Sequence, residues 1–137
     1  MTRIYMDGVF DLFHRGHLEA IKKCKEFGDS IIIGVVSDKD CESYKRTPII
    51  CEDDRVEIIK NLKDVDEVIF PCPLIIDKKF IDDNKIDIIV HGFSDEGDLD
   101  KQKEFFKIPI QLNKFKTIKY YDKISTTDII NNIKLNY

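Results

Sequence analysis

Asp11-Leu12-Phe13-His14-Arg15-Gly16-His17, reached from the apolar segment Arg3-Ile4-Tyr5-Met6 across Asp7-Gly8, decides the fold. Residues 3–6 read as a buried strand, and Asp7-Gly8 breaks it. Leu18, Ile21 and Cys24 then fall at helical spacing, and Gly28 closes a helix over about 16–27. His14 and His17 are three residues apart, so they share one face at the start of that helix. A helix start carries free backbone N–H groups and the positive end of the helix dipole, which suits phosphate. Gly16 between the histidines lets a bulky anion approach the backbone. The segment reads as a phosphate-handling site with two imidazoles built in. The spacing by itself is a weak pattern, and its setting between strand and helix carries the reading.

Strands and helices alternate along the rest of the chain. Ser30 to Val36 is a continuous β-branched run, as expected of a central parallel strand buried on both faces. Residues 37–40 start a short helical turn, and 44–48 read as a loop because Pro48 restricts its predecessor. Acidic Glu52, Asp53 and Asp54 ahead of Val56, Ile58, Ile59 and Leu62 predict a helix over 52–62. A strand over 67–70, a short helix over 78–84 and a strand over 86–90, ended by His91-Gly92, follow. Residues 95–100 form an acidic loop or the front of a helix running to 106. Residues 108–115 and 117–121 hold one or two strands. Ser125 opens the last helix, carried by Ile129, Ile130 and Ile133. This alternation predicts a single-domain α/β fold, a Rossmann-like doubly wound parallel sheet with helices on both faces. Ligands of such sheets bind beyond the carboxyl ends of the strands, where 7–17, 37–46, 91–96 and 119–127 converge.

The bulk properties narrow the classes. The chain has 137 residues, 42% hydrophobic and 35% charged, enough for one domain with a core and unlike a disordered chain. A net charge of -4 argues against a general nucleic-acid or anionic-membrane binder, but a small phosphorylated ligand feels only the local field. Cys24, Cys41, Cys51 and Cys72 fit no zinc spacing and read as thiols of a reducing cytosol. No apolar signal region opens the sequence and no apolar run approaches membrane-spanning length, so the expected location is cytoplasmic.

Two signatures then give the chain a likeness. Tyr5-Met-Asp-Gly-Val-Phe-Asp-Leu-Phe-His-Arg-Gly-His17 near the start and Ile124-Ser-Thr-Thr-Asp-Ile-Ile130 near the end resemble the cytidylyltransferases, with Asp64-Val-Asp-Glu-Val-Ile69 and His91-Gly92 between them. The family joins CTP to phosphocholine, phosphoethanolamine or glycerol 3-phosphate. The resemblance implies in-line attack of a phospho-alcohol on the α-phosphorus of CTP, with no covalent enzyme intermediate. His14, His17 and Lys45 would be the catalytic residues. Gly8, Val9, Phe10, Gly16, Arg55, His91, Ile124, Ser125, Thr126 and Thr127 would surround the nucleotide. It further implies Mg²⁺ carried on CTP, no dedicated protein metal site, and a homodimer. For Arg55 an intrahelical pair with nearby acids is an equal alternative, and Ser125 has an ordinary role as a helix N-cap.

The sequence also departs from the pattern. Tyr120-Tyr121-Asp122-Lys123 stands where the resemblance implies an arginine-led segment, leaving Lys119 or Lys123 to supply charge. Leu74 occupies the place of the tryptophan of phosphocholine enzymes, and the chain has no tryptophan. Quaternary ammonium recognition relies on aromatic faces, which counts against choline and towards a smaller ammonium or a neutral alcohol. His91-Gly92 resembles the ethanolamine branch of the family, so phosphoethanolamine is the expected acceptor. Phosphocholine and glycerol 3-phosphate are the alternatives. An adenylyltransferase and a nucleotide-binding regulatory protein are readings of other kinds.

Overall fold

Two β-branched segments build the centre of the sheet. The computed structural model describes residues 1–93 and 103–137. β1 (Arg3–Gly8) pairs in parallel with β2 (Ser30–Val35) along its whole length, from Arg3 opposite Ser30 to Gly8 opposite Val35. β3 (Glu67–Ile69), β4 (Ile88–Phe93) and β5 (Phe115–Lys119) complete a five-stranded, all-parallel sheet in the order β3-β2-β1-β4-β5. The helices are α1 (Arg15–Cys24), α2 (Asp38–Glu42), α3 (Glu52–Lys60), α4 (Lys78–Asp83), α5 (Lys107–Gln111) and α6 (Thr126–Asn136).

Strand alternation explains why both faces are covered. Ile4, Met6, Ile31, Ile33 and Val35 point to one face and pack with Ile21 of α1 and Val56 and Ile59 of α3. Tyr5, Ile32 and Ile89 point to the other and pack with Ile81 of α4 and Phe106. With no face left to water, alternating polar residues have no place, hence the unbroken apolar runs. Gly34 interrupts the run in β2 for a steric reason. A Cβ there would lie 2.1 Å from the Tyr5 hydroxyl, which fills the space instead.

Two sequence expectations change. The strand expected from 108 is the helix α5. Pro109 sits in its first turn, where a missing N–H leaves no helical bond unmade, so Ile108-Pro109-Ile110 curls and only Phe115–Lys119 pairs as strand. His91 and Gly92 do not end β4 but lie inside it, opposite Thr117 and Ile118. The acidic stretch 95–100 lies outside the described residues, and Lys103 to Phe106 form a turn closed by the Phe106 N–H on the Lys103 carbonyl. The strand order reverses direction at β1, between β2 and β4, and the crevice above that switch point is where such sheets bind ligands.

Candidate active site

The turn after β1 is built by strained backbone. Phe10 and Leu12 adopt left-handed φ values of 56° and 48°, which cost free energy in a residue other than glycine. The buried Phe10 ring folds back over Gly8, where a Cβ would lie 2.9 Å from it. This bend sends the chain into α1 with His14 as N-cap. The Gly16 N–H donates to His14 Nδ1 at 2.9 Å, and the His14 N–H donates to His17 Nδ1 at 3.1 Å. The two histidines thus form a reciprocal capping box.

That box fixes the tautomers. A backbone N–H can only donate, so each Nδ1 is the unprotonated nitrogen and each Nε2 carries the hydrogen. Both rings therefore hold an N–H donor on the nitrogen away from the backbone. Their centroids are 4.0 Å apart, and His17 stacks on Phe13 at 5.3 Å. Burial pushes the His17 imidazole down to about 4, with the neighbouring His14 adding to the effect and Asp11 opposing it. Burial lowers His14 as well. Both rings are therefore neutral near pH 7, and each keeps an Nε2–H donor.

The far wall comes from α6. Ser125 is its N-cap, accepting from the Asp128 N–H at 3.0 Å, and the Thr126 hydroxyl lies 3.3 Å from His14 Nε2. A Cβ on Gly16 would sit 3.3 Å from the Ile124 carbonyl, so the N-termini of α1 and α6 almost touch. Between them opens a cavity of about 730 Å³. Gly8, Val9, Phe10, His14, Gly16 and His17 line one side, Ile124, Ser125, Thr126 and Thr127 another, with Lys45 and His91 completing it. His91 is only 8% exposed, and its ring lies tilted against Phe106 with the centroids 4.5 Å apart.

Arg55 is placed elsewhere. It is fully buried beneath the site, and its guanidinium donates to the carbonyls of Ile50 at 2.9 Å, Val9 at 2.7 Å and Val36 at 2.9 Å, and to Asp38 at 2.6 Å. It lies outside the cavity lining and fastens backbone, and its ion pair is with Asp38, outside its own helix, so the expected intrahelical pair is not formed. Lys119 lines the cavity and Lys123 does not, which separates the two lysines that the sequence left equal.

Several lining residues were not among the expected site residues: Asp7, Asp11, Arg46, Tyr44, Phe105 and Tyr120. Burial pushes the Asp7 carboxyl up to about 7, partly offset by the charge of Lys45. A carboxylate at the end of an otherwise apolar strand is the signal that could have found it. The Tyr120 ring lies over Gly92, where a Cβ would be 2.3 Å from it.

The cytidylyltransferase-like family pattern matches residues 5–132. The chain belongs to the cytidylyltransferase-like family. It is 35% identical over 138 residues to an ethanolamine-phosphate cytidylyltransferase of Arabidopsis thaliana, covering 98% of this chain and 32% of the relative. It is 36% identical over 137 residues to the ethanolamine-phosphate cytidylyltransferase of Dictyostelium discoideum, covering 95% and 37%. Choline-phosphate cytidylyltransferase 2 of Arabidopsis thaliana is 34% identical over 139 residues, covering 99% and 46%. The chain thus spans less than half the length of each of these relatives. A solved structure, the lipopolysaccharide core biosynthesis protein from Thermoplasma volcanium, superimposes with a TM-score of 0.62 at 28% identity, over 88% of this chain and 96% of that one. Among the described residues, no helix of this cytidylyltransferase-like chain is long and apolar enough to cross a membrane.

Proposed function

We propose that this chain transfers CMP from CTP to a small phospho-alcohol, phosphoethanolamine first, releasing pyrophosphate and a CDP-alcohol. The observation that carries the reading is the pair of Nε2–H imidazoles, held by backbone amides between two helix N-termini. An acceptor phosphate oxygen attacks the α-phosphorus in line, and the bond to the β-phosphate oxygen breaks. Negative charge grows on the phosphate oxygens as it does so. Preset neutral donors aimed at that charge stabilise it without reorganising. Lys45, Arg46 and Lys119 supply cationic charge around the same space.

The acceptor end of the reading rests on Asp7. An ammonium group brought beside it would hold its carboxyl in the charged form, and Tyr44 and Phe105, in edge contact at 5.6 Å, give that region an aromatic wall. Leu74 lines the cavity without an aromatic face, which favours a primary over a quaternary ammonium. The names of the ethanolamine-phosphate relatives support the same choice.

Mg²⁺ is part of the proposal and neutralises phosphate charge when bound with CTP. Among the described residues no three His, Cys, Asp or Glu side chains gather as a metal cage, and backbone amides already occupy Asp11. A homodimer and a cytoplasmic location complete the reading, the latter supported by four free cysteine thiols.

Pyrophosphate release measured with CTP or ATP against phosphoethanolamine, phosphocholine and glycerol 3-phosphate tests the proposal. The expected result is CTP-dependent release, fastest with phosphoethanolamine. Release with ATP alone would overturn it, and CTP binding without release would favour a regulatory nucleotide-binding protein.

A further inference from the structure

Asp11 is 4% exposed, yet the charge on its carboxylate is not spare. The Ile49 N–H donates to Oδ2 at 2.8 Å and the Ile50 N–H to Oδ1 at 2.9 Å, while Arg46 Nη2 lies 3.8 Å from Oδ2. The backbone carbonyl of the same residue accepts from the Thr126 hydroxyl at 3.2 Å. One residue therefore touches three segments that face the cavity. These are the turn to which it belongs, the 44–50 stretch that carries Lys45 and Arg46, and the start of α6.

The 44–50 stretch is held differently at its two ends. Its inner end continues from α2, with the Lys45 N–H on the Cys41 carbonyl at 2.8 Å and the Cys41 thiol on the Arg46 carbonyl at 3.3 Å. Beyond Pro48, among the described residues, the hydrogen bonds that fix it are the two amides on Asp11 and the Arg55 guanidinium on the Ile50 carbonyl. Arg55 extends that attachment to Val9, Val36 and Asp38, while Glu52 and Asp38 bond reciprocally to each other's backbone N–H. A flexible, strongly hydrated lysine head can act on a reacting phosphate only if its stem starts from a fixed place.

We propose that Asp11 is a positioning residue for the transfer reaction: its carboxylate clamps the 49–50 amides and so sets Lys45 at a fixed distance from the His14–His17 pair. The clamp rests on the transferase reading for its catalytic consequence. Its geometry is independent of that reading. Asp11 acts through the segment it holds, since both its carboxylate oxygens are already engaged by protein.

Asp11→Asn tests this, because asparagine keeps the shape and turns an amide donor towards a backbone N–H. The expected outcome is a kcat lower by about 10²-fold, the scale of a small misplacement, with the KM for CTP little changed. Amide hydrogen exchange should quicken at Ile49 and Ile50. In a Lys45→Ala background, Asp11→Asn should lower the rate little further, because the group to be positioned is gone, while urea-unfolding losses still add. Asp11→Glu, which keeps the charge but displaces it, should show the same split and guards against an asparagine variant that fails to fold. Unchanged exchange at Ile49 and Ile50, or a full multiplicative rate loss on top of Lys45→Ala, would overturn the clamp. Absence of turnover in the unmodified chain would sink the transferase reading instead, with the exchange experiment still judging the clamp.

Discussion

At the scale of single residues, the two histidines illustrate how one contact set serves structure and chemistry together. Each caps α1 through Nδ1 and is thereby left with a donor on Nε2. Replacing His17 with alanine should cost about 10²–10³ in rate, the usual loss for one donor to developing charge. It should also cost about 1 kcal/mol of stability, typical of a lost cap and read from the urea midpoint. Acid behaviour carries a sign that can be worked out. The folded His17 titrates near 4, below its value of about 6.5 in an unfolded chain, so its contribution is complete above 6.5 and is lost as pH falls towards 4. Asp7 works in the opposite direction. Its folded pKa of about 7 exceeds the usual 3.8, so stability increases as pH falls through 7 and stops increasing near 3.8. The two slopes oppose each other between pH 4 and 6.5. Asp7→Asn should therefore steepen the acid loss of stability, and His17→Ala should flatten or reverse it. The imidazole pair was legible in the sequence because its partners lie within three residues. Arg55 was not, because the carbonyls it binds lie 46 and 19 residues away at Val9 and Val36, and no local pattern encodes a contact of that reach.

At the scale of elements, legibility followed the length and purity of each pattern. β2 declared itself through an unbroken β-branched run buried on both sides, and α6 through Ser125 and the isoleucines behind it. The run around Pro109 misled because isoleucine favours strands while a first-turn proline is neutral to a helix, so the local preference pointed away from the packing that prevailed. Gly34 shows the converse: a break in an apolar pattern can be the imprint of a neighbour. Gly34→Ala should destabilise the sheet by about 1–3 kcal/mol, the cost of overpacking, because the Tyr5 ring must leave its place over Gly34. Tyr5→Phe in the same background, which removes the hydroxyl closest to the new methyl, should recover part of the loss in a chemical denaturation series. No recovery would mean that the glycine is required for another reason.

At the scale of the molecule, the alternation of strands and helices made the doubly wound sheet readable, and the switch point of its strand order located the cavity. What the alternation could not convey is which cations around that cavity remain available, since Arg55 is consumed by the fold and Lys119 is not. Ligand binding should register in the stability of the whole. A nucleotide that binds the folded state alone stabilises by RT ln(1 + [L]/Kd), about 2.7 kcal/mol at a hundred times Kd. CTP should therefore raise the melting temperature more than CMP does at equal concentration, because a triphosphate bridging both helix starts binds with the lower Kd. Equal shifts would place the β- and γ-phosphates outside that bridge.

The near contact between the beginnings of α1 and α6 has a consequence for how the protein behaves when empty. Two partial positive poles face each other there, and α6 has no fully buried residue to offset their mutual repulsion. On the proposed reading a phosphate-bearing ligand would act as mortar between these two helix starts, and its arrival would seat the closing helix more firmly.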